Sequence, residues 1–209
     1  MKRLIVVRGP MGAGKTTLCQ VLLPYLQPAF WLDGDWCWKM EPFTADEAMR
    51  EMVMENIAFL LGQFLRAEGK DNVLFSWVLH EDTILEDLLH RLSSFRFSLH
   101  VFNLEPGEQA LTERLQGDIA RGAREEDVVQ RALERRGHYP GLRGEYLDTS
   151  QLTPEETARV ILEKLGKQLK ALPEGSPFSL FPSILPVNRC PQRPLEQCNS
   201  DLSKGLHQG

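Results

Sequence analysis

Short apolar runs alternate with longer segments of helical period along the first 170 residues. Runs rich in β-branched and aromatic residues, bounded by polar turns, predict strands at 3–8, 29–33, 72–78, 97–102 and 145–147. Between them, apolar positions recur every three to four residues over 15–26, 44–67, 82–92, 106–117, 125–136 and 154–170, the spacing of one buried helix face. Two helix starts carry sequence signatures: Thr44-Ala-Asp-Glu47 predicts a capping box, and Thr153-Pro-Glu-Glu156 predicts one with proline at the first helical position. Strands alternating with helices predict an α/β fold in three layers, a parallel sheet covered by helices.

The periodic pattern stops near Leu172. Residues 173–209 hold six of the thirteen prolines with a scatter of Ser, Gly, Gln and Asn, which predicts a disordered Pro-rich tail and leaves 1–172 as one domain. In the tail Arg189, Arg193 and Lys204 balance Glu174, Glu196 and Asp201, so the formal net charge of -5 belongs to residues 1–172. That acidic excess argues against a nucleic-acid partner. Hydrophobic residues at 42% and charged residues at 25% match an ordinary globular chain and exclude collagen-like or wholly disordered classes. Cys19, Cys37, Cys190 and Cys198 lack metal-ligand spacing, which fits a reducing compartment. The apolar stretch before Arg8 is too short for a signal peptide, and no run reaches the ~18 apolar residues of a membrane span. A soluble cytoplasmic protein is expected, with no membrane partner. The apolar tail segment Phe178-Ser-Leu-Phe-Pro-Ser-Ile-Leu-Pro-Val187 could dock on a protein partner but reads as a flexible extension.

The first predicted strand runs into Gly9-Pro-Met-Gly12-Ala13-Gly14-Lys15-Thr16-Thr17, which satisfies G-x-x-x-x-G-K-[ST] with a strand before and a helix after. Glycines let the backbone turn its N–H groups inward around a triphosphate, and the following helix presents its positive end. Lys15 adds a charge for the β and γ phosphates, Thr16 a hydroxyl for Mg²⁺, and Thr17 lies near the α phosphate. A nucleoside triphosphate with Mg²⁺ is therefore the expected ligand of this loop.

A phosphate loop alone leaves several enzyme classes open. Asp33 and Asp35 follow the second strand, where ligands of open parallel sheets sit, so one carboxylate can serve Mg²⁺ and the other accept an acceptor's proton. Seven of the sixteen arginines fall between Arg114 and Arg143. The stretch Gly117-Asp-Ile-Ala-Arg121-Gly-Ala-Arg124 reads as a lid whose guanidinium forks close over the transferred phosphoryl group. Trp31, Trp36, Trp38 and Trp77 all fall on or just after strands two and three, as core or as pocket wall, and His80 lies beyond strand three. No N-K-x-D guanine motif occurs, which disfavours a GTPase switch.

The loop, the Leu32-Asp33-Gly34-Asp35 turn, Leu111-x-x-Arg114-Leu115, the arginine lid and Leu147-Asp-Thr-Ser150 together resemble the P-loop small-molecule kinases, the nucleoside monophosphate, shikimate and gluconate kinases. Within that group the chain most resembles predicted nucleotide kinases related to tunicamycin-resistance and chloramphenicol phosphotransferase proteins. The resemblance spans about residues 1–170. It implies a five-stranded parallel sheet in order 2-3-1-4-5 with helices on both faces, an arginine-rich lid, and transfer of the ATP γ-phosphate to a small-molecule acceptor. Gly9, Gly12, Ala13, Gly14, Lys15, Thr16 and Thr17 match the phosphate loop. Asp33 and Asp35 match the acid pair, with Asp35 joining Thr16 in the metal set. Arg114 matches the arginine beside adenine, and Asp148 and Thr149 the segment lying against it. Arg121 and Arg124 fall in the lid, and Arg131 or Arg135 matches the later phosphate-facing arginine. Strand three departs from the pattern: Asn72-Val-Leu-Phe-Ser-Trp-Val78 contains no acid, so metal positioning falls to Thr16, to Asp33 or Asp35, or to Ser76 through water. The expectation is an ATP- and Mg²⁺-dependent phosphotransferase acting on a hydroxyl or phosphate; the alternative is an ATP-binding regulatory module with little transfer.

Overall fold

The computed structural model describes residues 1–166. Five parallel strands, β1 (Lys2–Arg8), β2 (Ala29–Asp33), β3 (Asn72–Trp77), β4 (Phe97–Leu104) and β5 (Glu145–Leu147), form one sheet in the order β2-β3-β1-β4-β5. This is the expected topology. Central β1 pairs with β3 from Arg3↔Asn72 to Arg8↔Trp77 and with β4 from Lys2↔Phe97 to Arg8↔Asn103. Its near-continuous apolar run follows from burial on both faces. Leu4 and Val6 pack toward α2 (Glu47–Arg66) and α3 (Asp82–Arg91). Ile5 and Val7 pack toward α1 (Lys15–Leu22) and α6 (Pro154–Lys164). A smaller cluster of Leu111, Leu115, Val128 and Ala132 joins α4 (Glu108–Ala120) to α5 (Val128–Arg136), with Met11 of the phosphate loop packed against it.

Element ends differ from the sequence pattern for local reasons. The helix expected over 15–26 stops at Leu22 and tightens into a 3-10 turn, Leu23–Leu26, because Pro24 has no N–H for the α ladder. The cap of α2 is Asp46, whose carboxylate accepts from the Met49 N–H at 2.9 Å, and not Thr44. The box at Thr153 forms as expected: its hydroxyl accepts from Glu156 N at 3.1 Å, and the Glu156 carboxylate accepts from Thr153 N at 2.8 Å. Helix α4 runs three residues beyond the expected end at 117 and takes in the first part of the expected lid. The tail and the boundary at 172 lie outside the described residues. Among the described residues no helix is long and apolar enough to cross a membrane.

Candidate active site

The strand order reverses at β1, and the crevice above the carboxyl ends of β1 and β3 holds the phosphate loop. Gly12 and Gly14 adopt the left-handed region, φ 81° and 89°. Gly12 has a second constraint, since a Cβ there would lie 2.6 Å from Leu115 Cδ2. Gly14 caps α1 through its backbone alone, so no side chain occupies the N–H groups of the helix start. Lys15 Nζ folds back over the loop and donates to the carbonyls of Gly9 and Pro10 at 2.9 and 3.0 Å. Burial lowers the Lys15 pKa, while Asp35 and Asp33 act to raise it. The ammonium thus makes two charge-assisted contacts of ordinary length to carbonyls of its own loop.

The acid pair after β2 divides by geometry. Asp33 ends the strand with 4% of its surface exposed, and its carboxylate accepts from Thr16 Oγ1 at 2.9 Å and from the Asp35 N–H at 3.1 Å. Asp35 begins a 3-10 turn, Gly34–Trp38, and faces solvent. Desolvation by the surrounding protein raises its pKa; Lys15 and Arg124 oppose that rise and Asp33 adds to it. The Thr16 hydroxyl therefore meets Asp33 rather than Asp35. One hydroxyl and one carboxylate suit Mg²⁺, which takes few protein ligands and keeps phosphate oxygens and waters. Among the described residues no group of three or more His, Cys, Asp or Glu converges as a metal site. Ser76, considered for the metal, is fully buried and accepts from Trp31 Nε1 at 3.1 Å, so its hydroxyl belongs to the sheet.

The arginines separate into distinct tasks. Arg114 Nη1 reaches Ala13 O and Thr149 Oγ1, each at 3.4 Å, and Nη2 donates to Thr149 O, tying the phosphate loop to the segment after β5. Asp148 accepts from Ser150 N at 2.9 Å beside it. Arg121 is 70% exposed and pairs with Asp118 at 2.6 Å. Arg124 shares Asp118 through Nε at 3.1 Å, and its charge is felt at Lys15 and Asp35. Arg131 pairs with Asp127 at 3.0 Å, and Arg136 Nε donates to Pro106 O at 3.1 Å. Arg135 acts electrostatically on His80 and Tyr139, on the side of the crevice beyond β3. The structure thus gathers Lys15, Thr16, Asp33, Asp35 and Arg124 at the loop and Arg114, Asp148 and Thr149 beside it; Arg121 is not brought in.

The tryptophans do not form one wall. Trp31 packs on the α1 face with Trp36 at 5.0 Å, whereas Trp38 and Trp77 pack on the α2 face. Trp77 lies so close under Gly34 that a Cβ there would be 2.4 Å from its ring, so it backs the acid turn. His80 stands perpendicular to His138 at 6.0 Å, with its pKa lowered by burial. A groove of about 880 Å³ between α2 and α3 is rimmed by Asp46, Glu47, Glu51 and Asp87, but Arg91 already engages Glu51 and Asp87.

Sequence reasoning missed Arg8. This last residue of β1 is fully buried and donates through Nε to Asn103 Oδ1 at 2.5 Å and through Nη2 to Arg143 O, while Nη2 also pairs with Asp82 at 2.8 Å. Asp82 accepts from the Arg143 N–H at 2.8 Å, and Tyr139 OH donates to Val78 O at 2.6 Å. Together they staple the loop after α5 to the loop after β3, where Leu79 holds φ 29°. The available signal was a charge closing an apolar strand directly before the glycine loop.

A model of the AAA domain family matches residues 5–135, from β1 nearly to the end of α5. No curated protein matches the sequence. The tunicamycin resistance protein of Deinococcus radiodurans matches at 19% identity and TM-score 0.61, over 81% of this chain and 98% of that one. A gluconokinase from Sinorhizobium meliloti matches at 18% identity and TM-score 0.53, over 78% and 94%. A shikimate kinase from Acinetobacter baumannii matches at 21% identity and TM-score 0.52, over 81% and 96%. At these identities the likeness is one of fold: that of the P-loop small-molecule kinases.

Proposed function

The chain belongs to the AAA domain family, and from that premise and the crevice geometry we propose that it is an ATP- and Mg²⁺-dependent phosphotransferase acting on a hydroxyl or phosphate of a small molecule. The observation that carries this reading is the 2.9 Å contact of Thr16 with Asp33, which brings the acid pair within reach of the phosphate loop. Bound Mg²⁺ would neutralise the β and γ phosphates, with Thr16 and Asp33 holding it or its waters. The loop N–H groups and Lys15 bind the phosphates, and Arg114 with Thr149 and Asp148 borders the nucleotide's base. Solvent-facing Asp35, its pKa raised, accepts the acceptor hydroxyl's proton as the acceptor oxygen bonds to the γ-phosphorus and the bond to the β–γ bridging oxygen breaks, releasing ADP. Arg124 and, from the other side, Arg135 oppose the charge spread over the moving group. Cytoplasmic ATP would supply the donor, and the -5 charge favours a small acceptor over a long polyanion.

The test is ADP release from Mg-ATP, wild type against Asp35→Asn, across nucleosides, nucleotides, sugars and hydroxylated antibiotics. Stimulation by one acceptor, lost in the variant, is expected. ATP binding with no stimulation by any member would overturn the transfer reading in favour of a nucleotide-binding module.

A further inference from the structure

Arg124 is held from within its own turn. Asp118, in the last turn of α4, accepts from Arg124 Nε through Oδ2 and from Arg121 through Oδ1, so one carboxylate grips two guanidinium groups across the turn. Gly122 makes that turn possible with φ 67°, and Ala123 N donates to Asp118 O at 2.9 Å, fixing the same residue by its backbone. Arg121 is largely exposed; Arg124 is about three-quarters buried, and its charge acts on Lys15 and Asp35. Its Nε is taken by Asp118, and among the described residues its two terminal nitrogens make no hydrogen bond. A guanidinium anchored at Nε presents its terminal N–H pair as a fixed fork, the geometry that a phosphoryl group's oxygens accept in pairs.

We propose that Asp118 is a positioning residue: by holding Arg124 Nε it aims the arginine's terminal nitrogens at the γ-phosphate position and so gives the site its preference for a triphosphate over a diphosphate. This rests on the proposed phosphotransferase reading only in that the loop binds ATP, and it needs no knowledge of the acceptor. The sign of the effect separates positioning from simple charge. Removing a nearby negative charge should favour ATP, the more anionic ligand, more than ADP; losing the grip on Arg124 should do the reverse.

The experiment is calorimetric titration of the full chain with the Mg²⁺ complex of a non-hydrolysable ATP analogue and with Mg-ADP, for wild type, Asp118→Ala, Asp118→Glu, Arg124→Ala and the Asp118→Ala/Arg124→Ala double variant. Asp118→Ala is expected to weaken the triphosphate about tenfold, the scale of one charge-assisted hydrogen bond, with Mg-ADP affinity kept within about twofold as the control for folding. Asp118→Glu should recover part of the preference. In the Arg124→Ala background, Asp118→Ala should no longer lower the triphosphate-to-diphosphate affinity ratio. A triphosphate-to-diphosphate ratio that stays the same or rises in Asp118→Ala would overturn the inference while leaving the phosphotransferase reading intact, and so would an undiminished effect in the Arg124→Ala background. Failure of the wild type to bind either nucleotide would overturn both.

Discussion

Replacing Arg8 by methionine keeps most of the stem and removes the guanidinium, and the consequence can be worked out partner by partner. Asn103 Oδ1, in a residue 1% exposed, loses its donor, which costs about 1–3 kcal/mol for a buried acceptor left unpaired. Arg143 O keeps Asn103 Nδ2 at 3.2 Å, so that carbonyl stays satisfied. Asp82 loses its ion pair but keeps the Arg143 N–H, and with a third of its side chain exposed water takes up part of the loss. Against these stand the recovered desolvation of the guanidinium and of Nη1, which is buried without a partner. The cost therefore falls below the ~3–5 kcal/mol of a fully buried broken pair, at about 2–3 kcal/mol. Urea unfolding should show the midpoint falling by about 1–2 M with unchanged m. Burial acts to raise the Asp82 pKa, but the Arg143 N–H and the Arg8 guanidinium outweigh it and hold the carboxyl below the ordinary aspartate value. Its contribution is thus complete above the unfolded pKa and lost as pH falls through the folded one, so the gap between wild type and variant should narrow in acid. A loss under about 1 kcal/mol at neutral pH, or a gap that widens in acid, would refute the reasoning.

Three further outcomes are expected. Gly12→Ala should cost more than Gly14→Ala by at least about 1 kcal/mol in thermal unfolding, because both strain a left-handed backbone but only Gly12 faces Leu115, which is fully buried and cannot move aside; equal losses would refute the packing. Lys15→Ala should reduce ATP turnover about a hundredfold or more with an unchanged melting temperature, since its ammonium bonds only two loop carbonyls; undiminished turnover would remove Lys15 from the site. Turnover should rise with pH through a pKa above the ordinary aspartate value, because Asp35 is raised by desolvation and works deprotonated, and that acid limb should vanish in the residual activity of Asp35→Asn.

What was legible in the sequence was what depends on near neighbours. The phosphate loop, its flanking strand and helix, and the Thr153 box are set within a few residues, and the alternation of runs was enough for the sheet order once the resemblance was added. The cap of α2 was misplaced by two residues because Thr44 and Asp46 both suit a cap and only Asp46 stands three residues before Met49 at the true helix start. The division between Asp33 and Asp35 depends on where β2 ends beside α1, a tertiary relation that spacing does not encode. Arg8 was invisible for the same reason on a larger scale: its partners Asn103 and Arg143 are 95 and 135 residues away. Trp31 and Trp77 face opposite layers because they occupy positions of opposite parity in the paired strands β2 and β3, while Trp36 and Trp38 lie beyond β2 in the 3-10 turn, where strand alternation no longer applies.

The contact between Gly12 and Leu115 has a mechanical side. With no room for even a methyl group between them, the floor of the nucleotide site and the base of the α4–α5 hairpin are one solid piece. A swing of the whole hairpin would have to break that contact, so a rearrangement that leaves the floor intact is confined to residues 121–127 between the two helices. The charge carried by that segment can be altered without touching the Gly12–Leu115 contact.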